Sequence, residues 1–376
     1  MNFKTLQDMK KNLLFFVAIA SMLALVSCSQ DTKEMLDNDG AIKFRTSING
    51  MTRASWTTTE NLKTFNVTSF VSGHSTNYFT NWQMVKSGDT WTSSDKHYWP
   101  PTQTLNFFAY APTSNIGIGT VSISPSEQTI KGFTMQSLSS NQTDLVVAYN
   151  SGTKAANENS GVALNFKHAL AMIDVYAKNV RSNDYRIDVL GVKLAGFKSS
   201  ADFTFPNTKV SGTIPLANWK NAKKESSCYY NFDGHTTLRT NYMSLMAGYF
   251  MVIPQELTAW NKTTSKSGAY IGVLLRIYKI ESAGRLEKVF PESGNEYAYV
   301  AVPIDTKLLP GKFYKFKLNF MENGAGNIAP DQINPYIPNN VNPNPGPGGS
   351  EVLGGAIKVT VSVDDWGSTN GFYEKL

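Results

Sequence analysis

The chain has 376 residues, of which 17% are charged and 12% aromatic, and a formal charge of +6. That is length enough for two ordinary domains, and so modest a charged fraction favours half-buried strands joined by polar turns over surface helices rich in Glu and Lys. Lys4, Lys10 and Lys11 against Asp8 place part of the charge in residues 1–27 and leave +4 on the rest, scattered without any block of five or six like charges, which argues against nucleic acid as a partner.

Near the start, Lys10 and Lys11 precede the apolar run LLFFVAIASMLALV, Leu13 to Val26. Fourteen residues rise only about 21 Å as a helix, short of the roughly 30 Å of a bilayer core. Residues 1–27 therefore read as a secretory signal, not a membrane span. The run closes in Leu25-Val26-Ser27-Cys28, which resembles a bacterial lipobox. On that reading Cys28 is acylated, becomes the mature N-terminus and anchors the chain by lipid; an ordinary signal peptide is the alternative. The other cysteine, Cys228, then has no partner for a disulfide and reads as a small buried residue.

A polar tether, residues 28–40, leads into period-2 patterns. Ile42, Phe44 and Ile48 alternate with Lys43, Arg45 and Ser47. LNFFAYAP (105–112) and DLVVA (144–148) read as buried strands. ALNFKHALAMIDVYAKNV (163–180) has the length of a helix, but its alternation from Met172 to Lys178 predicts two strands, or a bend and a long strand. YRIDVLGVKLAGF, YFMVIPQ, YIGVLLRIYKI, YAYVAVPI and FYKFKLNF follow, each bounded by Gly, Pro or Asn. Strands at such spacing, without a well-capped helix of three turns, predict an all-β fold of sandwiches.

The polar stretch NSGTKAANENSG, near residues 150–161, is the best domain boundary, separating sandwich domains at 41–160 and 161–328. Residues 329–350 hold six prolines and three glycines in 22 positions and predict an extended arm. A final segment, 351–376, contains a well-formed strand in which Ile357, Val359, Val361 and Val363 alternate with polar residues.

Signatures of catalysis are missing: no GxSxG, HExxH, Walker loop, GxGxxG or CxxC occurs. His74, His97, His168 and His235 lie far apart in sequence, so no metal site is expected from spacing. His168, among apolar neighbours, reads as a hydrogen-bonded core or strand-edge residue. Asp364 and Asp365, adjacent on a strand, point to opposite faces and would not share a proton. No catalytic residue, metal or cofactor is therefore assigned, and the chain is not read as an enzyme. Trp82, Trp91, Trp99, Tyr229 and Tyr230 either pack in the sheets or offer faces for a sugar.

The two ends of the chain nearly repeat each other. GAIKFRTSI (40–48) and GAIKVTVSV (355–363) are identical at five of nine positions. Their alternating sets correspond: Ile42 with Ile357, Phe44 with Val359, Thr46 with Val361, Ile48 with Val363. Either two strands have converged on residues that strands favour, or the last strand fits the groove of the first in a neighbouring molecule.

Taken together, the lipobox, a first strand followed by TRA, HYWP (97–100), LNFFAYAP, DLVVA, LNFKHALAMIDV (164–175), FMVIPQELTAW (250–260), EYAYVAVPI (296–304), LPGKFYKFKLNF (309–320) and VDDWG (363–367) resemble the fimbrillins of Bacteroides-type bacteria, the subunits of type V pili. The resemblance implies two transthyretin-like β-sandwich domains in tandem and export as an outer-membrane lipoprotein that ends in an extracellular pilus. It implies cleavage by an arginine-specific protease after Arg53, leaving Ala54 first, with Arg45 as the less accessible alternative. It further implies polymerisation with other pilus subunits by donor-strand exchange, in a shaft role. A host or bacterial surface ligand would be a further partner. The rival reading is a glycan-binding surface lipoprotein whose last strand closes its own domain.

Overall fold

The structure, a computed structural model, describes residues 39–48, 58, 60–114, 117–223, 228–263, 267–294 and 296–366. By its contacts the chain divides into Met1–Asp39 and Gly40–Leu376, and the second unit is the one that carries the fold. Its strands, β1 to β23 in chain order, form four sheets. The first runs β1 (Phe44–Ile48), β9 (Val162–His168), β8 (Val146–Gly152), β5 (Leu105–Ala111), β2 (Thr64–Val71), β3 (Asn77–Ser87), β4 (Thr90–Thr92). The second runs β13 (Trp219–Lys223), β12 (Ser200–Thr204), β7 (Gln128–Thr134), β6 (Thr120–Ile123). In the third, β16 (Met243–Ser244) and β17 (Phe250–Val252) pair with β10 (Ala171–Asn179), followed by β21 (Lys312–Phe320) and β23 (Lys358–Asp365). The fourth is β14 (Cys228–Asn231), β11 (Tyr185–Ala195), β18 (Tyr270–Ile280), β20 (Ala298–Pro303) and β22 (Asn327–Ile328), with β15 (Thr236–Thr237) on β11 and β19 (Leu286–Phe290) on β18.

The all-β sandwich architecture follows from which faces are apolar. In β5, Phe107 and Ala109 enter one core with Phe65, Leu164 and Phe166, while Phe108 and Tyr110 enter another with Ile130, Phe133 and Phe203 of the second sheet. Burial on both faces explains why LNFFAYA is nearly continuous in apolar residues instead of alternating. The third and fourth sheets share the larger core, to which Ile173, Val175 and Phe316 contribute from one and Ile187, Val189 and Val273 from the other.

The stretch 163–180 resolves into two strands, β9 and β10, broken at the buried pair Ala169–Leu170. Here the chain passes from the first sheet to the third. The polar stretch at 150–161 holds the end of β8 and a one-turn helix, Lys154–Asn157, on the way to β9, its neighbour in the first sheet. Polarity marked an exposed connection there, whereas the crossing between sheets is apolar and gave no compositional signal.

Residues 329–350 do not stand away as an extended arm. They fold as a strap over the outer face of the fourth sheet, where Ala329 and Val341 pack with Tyr270, Tyr297 and Tyr299. Backbone bonds secure it: Tyr297 donates to the Asn340 carbonyl, and Asn342 to the Tyr297 carbonyl, each at 2.8 Å. Proline removes donors but leaves every carbonyl, and the Asn and Gln residues between prolines supply the rest. Gln332 Oε1 accepts from the Tyr299 amide at 2.7 Å, and Asn334 Nδ2 donates to the Tyr299 hydroxyl at 2.9 Å.

Candidate strand-exchange site

The first strand closes the first sheet. β1 runs parallel to β9, from Phe44 opposite Val162 to Ile48 opposite Phe166. Just before it, the Ile42 amide donates to the His97 carbonyl, and the Val162 amide donates to the Lys43 carbonyl, both at 2.8 Å. Ile42, Phe44 and Ile48 are buried and Thr46 is half-buried, while Arg45 and Ser47 are exposed. This is the expected alternation, with one face turned into the core. The Phe44 ring, 6% exposed, stands edge-on to Phe65, Trp82 and Phe107 at centroid distances of 6.1, 5.6 and 5.7 Å. Thr46 Oγ1 accepts a hydrogen bond from Trp91 Nε1 of β4 at 3.2 Å. Groove and strand are thus matched by shape and by one polar contact.

The last strand is held differently. β23 lies antiparallel to β21 at the sheet edge, from Lys312 opposite Asp365 to Asn319 opposite Lys358. Ile357 is buried and Val359 leans on the larger core, but Val361 and Val363 are 43% and 49% exposed. An edge strand with bare aliphatic side chains is a template for further association. Along its exposed part it is held by ion pairs to β21 and the loop after it. Lys358 Nζ meets Glu322 at 2.6 Å, Lys315 Nζ meets Asp364 at 3.0 Å, and Lys312 pairs with Asp365. The Lys358 ammonium holds the Glu322 carboxyl below its usual range and is itself raised in return. Asp364 and Asp365 thus serve separate lysines, as their opposite directions on the strand required.

Beyond β23, Trp366 lies flat on His168 at the end of β9, with centroids 4.2 Å apart and planes 3° from parallel. His168 Nδ1 pairs with Asp144 Oδ2 at 2.8 Å, and both side chains are buried. His168 is therefore the hydrogen-bonded core residue its neighbours indicated. Trp366 also anchors by backbone, its amide donating to the Gly311 carbonyl at 2.8 Å. Chain entry to β23 passes through Gly354 and Gly355, at φ +102° and +124°, a region side chains disfavour.

A second feature escaped sequence reading. Lys193 on β11 is fully buried, its Nζ donating to the Asp331 carbonyl of the strap at 2.7 Å and lying 4.0 Å from the Tyr299 ring centroid. Burial pushes this ammonium below the usual lysine range. Room for its stem exists because residue 272 is glycine: a Cβ there would come within 2.7 Å of Lys193 Cγ. A lysine in an alternating strand ordinarily reads as outward-facing, so no signal announced it.

Cys28, Arg53 and Ala54 lie outside the described residues. Trp82, Trp99, Tyr229 and Tyr230 are interior side chains and offer no open face to a sugar. Cys228 is buried, as its setting implied. Among the described residues no group of His, Cys, Asp or Glu is placed to hold a metal ion, and no helix is long and apolar enough to cross a membrane.

This combination of stacked sheets, with β1 and β23 at sheet edges, defines an all-β sandwich protein. A crystal structure of a fimbrial protein from Bacteroides vulgatus is similar over 87% of this chain and 99% of its own, at 16% identity and a TM-score of 0.58, a likeness of fold. Structures of candidate cell-adhesion proteins from Bacteroides uniformis and Bacteroides ovatus align with 87% of this chain and with 100% and 97% of theirs, at 14% and 15% identity and TM-scores of 0.44 and 0.45. No curated protein matches. The family model of fimbrillin-like proteins matches residues 51–335, and the chain belongs to that family.

Proposed function

We propose that this chain is a structural pilus subunit that polymerises by strand exchange. Fold and family support the subunit role and a place at the cell surface; the steps below are the reading that accounts for the two end strands. The precursor is exported as a lipoprotein through Cys28 and reaches the outer membrane. An arginine-specific protease cuts after Arg53, leaving Ala54 as the new N-terminus. Arg45 is the poorer site, because it sits inside β1, whose backbone is paired with β9. Release of β1 uncovers the groove over Phe65, Trp82 and Phe107. The last strand of another copy enters it by β-augmentation, placing Ile357, Val359, Val361 and Val363 where Ile42, Phe44, Thr46 and Ile48 lay.

The observation that carries this reading is the contrast between the two strands: β1 buries its inward face, while β23, whose segment 355–363 matches 40–48 at five of nine positions, leaves Val361 and Val363 exposed. Covering aliphatic side chains of this size is worth about 1.5–3 kcal/mol each. Before cleavage the attached β1 prevails through its high effective concentration, which keeps the precursor monomeric. Adhesion, the role named for similar structures, would be a property of the assembled filament, and no enzymatic activity is assigned.

Purified precursor treated with an arginine-specific protease is expected to give a product beginning at Ala54, followed by a ladder of SDS-resistant oligomers. Complete cleavage that leaves only monomers would refute the scheme.

A further inference from the structure

The groove under β1 is shaped for a strand that the chain's own last segment only partly imitates. At the second inward position Phe44 touches three aromatic rings, Phe65, Trp82 and Phe107, with centroids 5.6–6.1 Å away. At the third, Thr46 Oγ1 takes the indole hydrogen of Trp91, whose ring in turn packs on Phe65 at 4.6 Å. In the aligned last strand these positions are Val359 and Val361. An isopropyl group leaves much of the Phe44 site empty, and a core void is destabilising because its walls lose their contacts. Val361 has no atom to accept from Trp91 Nε1, so that donor would be covered without a partner. At the outer positions, Ile357 for Ile42 and Val363 for Ile48, the fit is nearly conserved. Two of four pockets therefore discriminate against the copy's own strand, and they do so by different chemistry.

Resting on the strand-exchange reading, we infer that the preferred occupant of the groove is an extended strand of a different subunit, parallel to β9, with the pattern aliphatic-x-aromatic-x-Ser/Thr-x-aliphatic. The chain's own last strand binds in second place. Self-assembly then proceeds when nothing better is present, and a partner carrying the aromatic and the hydroxyl displaces it.

Competition measures this directly. Full-length protein, cleaved with the arginine-specific protease, is titrated with fluorescein-labelled peptides AIKVTVSV (the last strand) and AIKFTTSV (the same strand with V359F and V361T). The second is expected to bind at least about tenfold more tightly, from filling the aromatic site and satisfying Trp91. In Trp91→Phe protein the part of the gain due to Thr should vanish while the part due to Phe stays, as read with AIKFTVSV. Equal affinity of the first two peptides, or preference for the valine strand, overturns the inference and leaves strand exchange standing. Failure of every peptide to bind cleaved protein overturns both.

Discussion

Trp366 lies flat on His168, 4.2 Å between centroids, and so fastens the last strand of the chain to the end of β9, the same strand that pairs with β1. One element therefore borders both the strand that would leave and the strand that would be donated. Trp366→Ala is expected to free β23 while the sheets stay folded. Losing a buried indole costs roughly 3–5 kcal/mol, felt at the strand it anchors. Hydrogen exchange should rise sharply across 358–365 and little elsewhere, with Trp366→Phe close to wild type. Unchanged protection in the alanine variant would show that the ring stack does not hold the strand.

Val361→Asp tests the donor face. Because Val361 is 43% exposed at a sheet edge, the charge stays in water in the monomer, and stability should move by no more than about 0.5 kcal/mol in urea unfolding. After cleavage the same carboxylate would have to enter an apolar groove, so oligomer ladders should disappear. A variant that assembles normally removes β23 from the exchange.

Asp174 on β10 carries a pH effect under the same sheet. It is buried, accepts from Ser244 Oγ at 2.9 Å, and stands in register with Lys315, the residue that grips Asp364. Burial, the largest influence, pushes its carboxyl up to about 6 from an ordinary 3.8. A raised acid pKa means the native state takes up the proton first, so this group's contribution improves as pH falls from about 6 toward 4 and is unfavourable above that window. Asp174→Asn should be more stable than wild type at pH 7, by an amount on the order of 3 kcal/mol, and converge with it near pH 4. Urea midpoints at the two pH values decide it.

Lys193 carries the opposite sign. Burial lowers its pKa from 10.5, so below the lowered native value the folded protein bears a charge it accommodates poorly, and strap stability should rise as pH climbs from that value toward 10.5. Burial raises the phenols of Tyr230, Tyr270 and Tyr299, so they stay neutral over this range. In wild type, protection of 329–343, corrected for the intrinsic rate, should increase as pH is raised toward 10.5. In Lys193→Met that slope should vanish, whatever the absolute stability.

How much of this was readable beforehand depends on what each residue faces. The register of β1 was legible because a strand with one buried face must alternate, and Ile42, Phe44 and Ile48 do. Two strands in 163–180, or a bend and a long strand, were legible from the alternation between Met172 and Lys178, though not the point of the break. Alternation in 357–363 was equally clear, yet it could not reveal that Val361 and Val363 lack a cover, since covered and bare valines read alike. The strap was misread because proline density suggests extension, while the fastenings are Gln332, Asn334 and Asn342, polar residues that look solvated in a sequence. Nothing local marked Trp366 or Lys193, whose partners lie 198 and 138 residues away.

The strap has a mechanical meaning. Tension on the last strand enters through 351–355, where Asn327 bridges Glu351 and the Gly326 amide and carbonyl bond to Gly355 and Val352. Should these and the neighbouring links of 349–352 part, the next stretch to yield is the proline-rich length laid on the outer face, whose 22 residues at about 3.1 Å each extend to nearly 70 Å. If the chain polymerises as proposed, a loaded joint would lengthen by paying out the strap while the folded bodies stay intact.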